Sequence, residues 1–170
     1  MQLKQDDDTA EELKFNGVYR YANGTMQLLV KDLSRPNGIG ISPDEKTLYV
    51  ANCDAKQALW MKYDLAADES VSNGRVFVDM TGEKGEGCPD GLKLDTQGNV
   101  YATGPGGLWV FSPDGRRLGM FKLPEDPANA GCGDDGKTLY ITVETGVYRV
   151  SMAVAGQGGI SVDSTISFRG

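Results

Sequence analysis

The sequence predicts an all-β protein of the β-propeller class, carrying about three and a half blades of four-stranded antiparallel sheet. Three observations predict it. A strand-turn-strand unit occurs three times, as PNGIGISPDEKTLYVAN (36–52), PDGLKLDTQGNVYATG (89–104) and NAGCGDDGKTLYIT (129–142). Tyr49, Tyr101 and Tyr140 occupy one aligned position, so the unit recurs at roughly 40–50 residues, the period of propeller blades. No segment has helical periodicity, and 23 glycines supply the turns that a chain of short strands needs.

The elements follow in order. Residues 1–14 read as a solvated loop, in which Asp6, Asp7 and Asp8 form an exposed acidic run rather than a metal site. A partial propeller domain is expected over 15–170. Asn16 to Tyr21 reads as a strand, Asn23-Gly24 as a hairpin turn, and Met26 to Lys31 as the return strand, an outer hairpin without its two inner strands. The first full blade is expected as Gly38–Ser42, Thr47–Asn52, Leu59–Asp64 and Gly74–Asp79, with Leu65–Asn73 as a polar connection. The second is Gly91–Asp95, Asn99–Thr103, Leu108–Ser112 and Arg117–Leu123, turning at Pro113-Asp114-Gly115. A third unit runs Ala130–Cys132, Thr138–Val143 and Val147–Met152, and Ile160–Phe168 reads as one more strand.

Composition bounds the chemistry. The chain has 170 residues and a net charge of −7, which disfavours nucleic acid and anionic membrane as partners. It contains no histidine, so a His-based triad, a His general base and imidazole metal ligands are all excluded. Cys53, Cys88 and Cys132 are odd in number and lack CxxC spacing, so free structural thiols are expected rather than a disulfide framework or a zinc site. No secretory leader or membrane-spanning run is read, and the expected compartment is the cytoplasm, or the periplasm if a signal peptide lies upstream.

Each repeat opens with a polar side chain at the start of its first strand: Asn37, Asp90 and Asn129. The first strand of a propeller blade is innermost, so these three are expected to converge on a central mouth. An amide oxygen and a carboxylate on rigid inner strands suit a hard divalent cation such as calcium, magnesium or manganese, and zinc less well. Asn-Gly and Asp-Gly are also ordinary turn formers. The same face carries the loops at 52–54, 104–107 and 144–146, while the Pro43-Asp44, Pro113-Asp114 and Asp134-Asp135 turns fall on the opposite face as structural hairpins.

FNGVYRY, RPNGIGISPDEKTLYVAN, CPDGLKLDTQGNVYATGPGGLWVFSPDGRRLG and DDGKTLYITVETGVYRV, in this order and with these gaps, resemble the SMP-30/gluconolactonase/luciferin-regenerating-enzyme family, and most closely its bacterial gluconolactonases. The resemblance implies a six-bladed propeller that hydrolyses sugar lactones with one divalent metal in its channel, calcium being expected and magnesium, manganese or zinc also compatible. By the same resemblance Asn37 and Asp90 match two metal ligands, Asp90 also matches the acid/base, and Asn129 aligns with a substrate-side position. The family's Glu ligand has no counterpart in residues 1–14, and Glu144 stands at an outer loop. The chain therefore corresponds to the C-terminal portion of the family's propeller. The competing expectations are a non-catalytic binding or interaction module, and a homodimer that joins exposed blade edges.

Overall fold

The computed structural model describes residues 13–158. These form thirteen strands and no helix, in four antiparallel sheets. Strands β1 (Val18–Ala22) and β2 (Thr25–Val30) make a hairpin. Strands β3 (Pro36–Ile41), β4 (Thr47–Asn52), β5 (Leu59–Leu65) and β6 (Val71–Asp79) form the first four-stranded blade. Strands β7 (Leu92–Leu94), β8 (Val100–Gly104), β9 (Gly107–Phe111) and β10 (Arg117–Phe121) form the second. Strands β11 (Pro127–Gly133), β12 (Thr138–Val143) and β13 (Val147–Ser151) form a three-stranded sheet.

Local chemistry sets the turns. Asn23 and Gly24 both take positive φ (51° and 76°), as the tight turn between β1 and β2 requires. The β3–β4 turn is closed by the Ser42 hydroxyl, which donates to Asp44 (2.6 Å) and accepts from the Thr47 amide (2.9 Å). At the equivalent turn of the second blade, buried Asp95 accepts from the Gln97 and Asn99 amides (2.9 Å each) and from the Asn99 side chain (2.8 Å). Two strands start three residues before the sequence reading. β6 starts at Val71 rather than Gly74, because Asn73 takes positive φ (51°) within a shift of register and the pairing continues through it to Ser72. β11 starts at Pro127, across a bulge before Asn129. The strand expected over Ile160–Phe168 and most of the expected 1–14 loop, Asp6 to Asp8 included, lie outside the described residues.

Period-two patterning seals each seam between sheets. In β4, Leu48 and Val50 join Val18, Val30, Met61 and Tyr63 on the hairpin side. Tyr49 and Ala51 point the other way, into a cluster with Trp60, Phe77, Leu92, Val100, Trp109 and Phe111 between the two full blades. Leu108, Ala130, Leu139 and Ile141 fill the next seam. Trp60 and Phe111 are fully buried; each such side chain contributes about 1.5–3 kcal/mol of transfer free energy. The seams fix the blades to one another and so fix the spacing of the inner strands β3, β7 and β11.

Candidate functional site

The site is built from main chain first. The Asp90 amide donates to the Thr103 carbonyl (3.0 Å), and the Thr103 amide donates back to Gly91 (2.9 Å), which locks the start of the second blade to the end of β8. The Gly91 amide crosses to the next sheet and donates to Ala128 (3.0 Å). The buried Thr103 hydroxyl lies 3.0 Å from both the Gly91 and Ala128 carbonyl oxygens and stitches the same junction.

Two glycines set how closely the inner strands approach. A β-carbon on Gly38 would stand 2.0 Å from the Asp90 carbonyl oxygen. A β-carbon on Gly91 would stand 2.2 Å from the Asn129 side-chain oxygen. Real carbon–oxygen contacts are never this short, so only glycine lets each inner strand lie against the polar residue of the next.

Asn37 in β3, Asp90 just ahead of β7 and Asn129 in β11 therefore stand side by side. The Asn37 side chain hydrogen-bonds the Asp90 carboxylate. Asp90 is half-buried, and burial pushes its pKa above the ordinary value; hydrogen bonds from the Gly91 amide and the Asn37 side chain pull it back without cancelling the rise. Asn129 uses its side-chain oxygen to accept from the Ala130 amide (2.8 Å), and Lys93 Nζ lies 3.4 Å from the same oxygen. The arrangement offers one amide oxygen and one carboxylate to a hard cation, and a carboxyl group poised to exchange protons. Among the described residues no group of three or more acidic or thiol ligands gathers at any point. Asn37 and Asp90 are two oxygen donors, fewer than a cation site needs by itself. Glu144 is exposed in the β12–β13 turn, away from the inner strands.

Side chains that the sequence reading left aside support this pair. Asn52, fully buried at the end of β4, accepts from the Arg35 amide (2.8 Å) and donates to the Gln57 carbonyl (2.8 Å). It anchors the segment that leads into Asn37. Ser34 extends the clamp by donating to Asp54 (2.6 Å). An Asn closing a strand directly after Leu48, Tyr49, Val50 and Ala51 is a local sequence signal, whereas its partner is visible only in three dimensions.

The cysteine expectation is corrected here. Cys53 and Cys88 form a disulfide, with α-carbons 5.1 Å apart, and only Cys132 is a free thiol. The two half-cystines are 35 residues apart, in the β4–β5 loop of one blade and the segment entering the next. Spacing rules could not pair them, because the pairing is a product of blade packing. Burial raises the Cys132 pKa, which leaves this thiol a weak nucleophile.

Residues 1–145 match the family model described as SMP-30/Gluconolactonase/LRE-like region. A gluconolactonase of Zymomonas mobilis is 37% identical over 153 residues, covering 85% of this chain and 43% of that protein. A solved gluconolactonase structure from Xanthomonas campestris is similar with a TM-score of 0.72 and 26% identity, over 85% of this chain and 46% of that one. A regucalcin from Agrobacterium tumefaciens, described as a calcium-binding protein, shares the fold with a TM-score of 0.71 and 24% identity, over 83% and 54% of the two chains. The chain thus spans about half the length of the relatives it matches. It is a β-propeller chain that belongs to the SMP-30/gluconolactonase/LRE-like family.

Proposed function

We propose that this chain carries the acid/base and two metal ligands of a sugar-lactone hydrolase, with glucono-type lactones as the substrate class. The observation that carries the reading is the contact between Asn37 and the half-buried Asp90 carboxylate, in a chain 37% identical to a gluconolactonase. In this reading Asp90, as carboxylate, takes a proton from water as the water oxygen adds to the lactone carbonyl carbon. It then returns that proton to the ring oxygen as the C–O bond breaks, so the products balance as the open hydroxy acid. A divalent cation bound at Asn37 and Asp90 would polarise the carbonyl; calcium is the expected ion, and it would need further oxygen ligands beyond this pair. In this reading Asn129, on the next inner strand, orients the sugar hydroxyls.

The test is a pH-stat assay on glucono-1,5-lactone with wild type and Asp90→Asn, each with added calcium and with chelator. The reading expects turnover above the spontaneous rate that needs both the cation and the carboxylate. Equal rates for wild type and variant, at equal folded fraction, would sink it.

One observation favours a second reading, a non-catalytic interaction module. The hairpin β1–β2 presents Tyr19, Tyr21, Met26 and Leu28 on one exposed face. That reading, which includes self-association of two copies through exposed blade faces, expects binding unaffected by Asp90→Asn. Sedimentation mass separates the self-associating case from the rest.

A further inference from the structure

We propose that the Cys53–Cys88 disulfide is a redox-operated clasp that positions Asp90 against Asn37. The proposal rests on Asp90 being the working carboxylate.

The bond ties together the two segments that carry the pair. Cys88 stands two residues before Asp90, with only the buried Pro89 between them. Cys53 donates its amide to the Arg35 carbonyl (2.9 Å), and Arg35 stands two residues before Asn37. A continuous linkage therefore runs from the approach to Asn37, through Cys53 and Cys88, to Asp90.

Apart from the disulfide, the segment on the Cys88 side is held by a few surface bonds. Residues 81–87 are all exposed. Gly82, Gly85 and Gly87 take positive φ (82°, 126° and 93°). The segment's main-chain bonds are those from Glu83 to Met80 (2.9 Å) and from Gly106 to Glu86 (2.8 Å), with an added bond from the Thr81 amide to the Asp79 side chain (2.8 Å); the Ala58 amide donates to the Thr81 hydroxyl (3.1 Å), and Arg117 pairs with Glu83 (3.1 Å) in an exposed ion pair of small worth. A glycine-rich, exposed stretch held by so few hydrogen bonds opens locally at small free-energy cost unless it is cross-linked. Beyond Cys88 the order is different: Asp90 is bonded to Thr103, and Gly91 to Ala128. Opening the clasp therefore frees the segment up to Cys88, loosens the single amide bonds of Asp90 and Gly91 that continue it, and leaves the blades standing.

The redox step is a two-electron exchange with a dithiol. The Cys53–Cys88 sulfur–sulfur bond breaks, each sulfur gains a hydrogen, and the dithiol closes to its own disulfide. The clasp is closed in an oxidising compartment and open in a reducing cytosol.

The test is hydrogen exchange read by mass spectrometry on the 170-residue chain, oxidised and then reduced with dithiothreitol, beside the double variant Cys53→Ser/Cys88→Ser. Reduction is expected to speed exchange across 82–91 by about tenfold or more while the amides of β8 and β9 remain slow on the timescale on which 82–91 exchanges. The double variant should match the reduced pattern and ignore the dithiol, and reoxidation of the wild type should restore slow exchange. Unchanged exchange over 82–91, with two new thiols confirmed by mass, would overturn the proposal. Exchange of the β8 and β9 amides as fast as that of 82–91 would overturn it too, because the reduced chain would then open as a whole. Exchange needs neither metal nor turnover, so this result stands apart from success or failure of the lactonase assay.

Discussion

Gly38 lies against the main-chain carbonyl of Asp90, so close that a β-carbon there would stand 2.0 Å from the oxygen. The glycine of the first repeat is thus part of the seat of the carboxylate in the second. Gly38→Ala is expected to cost about 2–4 kcal/mol, since neither strand can yield without breaking its ladder. It should also push Asp90 away from Asn37. Gly131→Ala is the control: the same inner-strand setting has open space around the added carbon, and the change should stay within about 0.5 kcal/mol of wild type. Thermal unfolding of the two variants decides it, and equal midpoints would refute the close approach.

The repeat and the polar residue that opens each unit are legible in the sequence because both follow from strand periodicity and turn chemistry. Tyr101 and Tyr140 show how far the alignment reaches: each donates to an Asp six residues earlier, Tyr101 to Asp95 (3.2 Å) and Tyr140 to Asp134 (2.8 Å). At the same position of the first repeat, Pro43 stands six residues before Tyr49. Tyr49 is buried edge-on against Phe77 instead (5.0 Å). What could not be read is what depends on neighbouring blades. The Cys53–Cys88 pairing, the Asn52 clamp on Arg35 and the Thr103 stitch to Ala128 each join segments brought together only by packing. The extra residues of β6 were hidden for another reason: Ser72 and Asn73 look like loop residues, and pairing with β5 overrides that preference.

The disulfide predicts a labelling stoichiometry and a stability difference. Alkylation in denaturant without reductant should modify one cysteine, Cys132, and alkylation after reduction should modify three. Closing a loop across a separation of 35 residues constrains the unfolded chain by roughly 3–4 kcal/mol in the chain-entropy model. Cys53→Ser/Cys88→Ser should lose a comparable amount in urea unfolding. Three alkylated cysteines before reduction would remove the bond and the clasp together.

Asp90 is expected to titrate above the ordinary carboxylate range, because its burial outweighs the hydrogen bonds it receives. Asn37→Ala removes one bond that favours the charged form, so it should raise the Asp90 pKa further. Carbon-detected NMR titration of the Asp90 carboxyl, without added metal, measures both shifts. A value at or below that of the exposed aspartates would contradict the half-buried placement, and a fall in the variant would contradict the Asn37 bond.

Alkaline stability should turn on Tyr101. Burial and the neighbouring Asp95 carboxylate push its phenol up to about 12 from an ordinary value of 10.0. The folded chain therefore holds this proton more tightly than the unfolded chain does. Between about pH 10 and 12 the unfolded state binds fewer protons, so stability falls as pH rises through that window and is fully present below it. Tyr49 is raised by burial in the same direction and adds to the slope. Tyr101→Phe should remove its share of the alkaline loss. At neutral pH it should cost only about 0.5–1.5 kcal/mol for the lost bond to Asp95, whose three other hydrogen bonds come from Gln97 and Asn99. Urea midpoints from pH 7 to 11 for wild type and variant provide the check. Parallel curves would mean that the Tyr101 phenol ionises alike in the folded and unfolded chain, and that the Asp95 turn holds without sensing it.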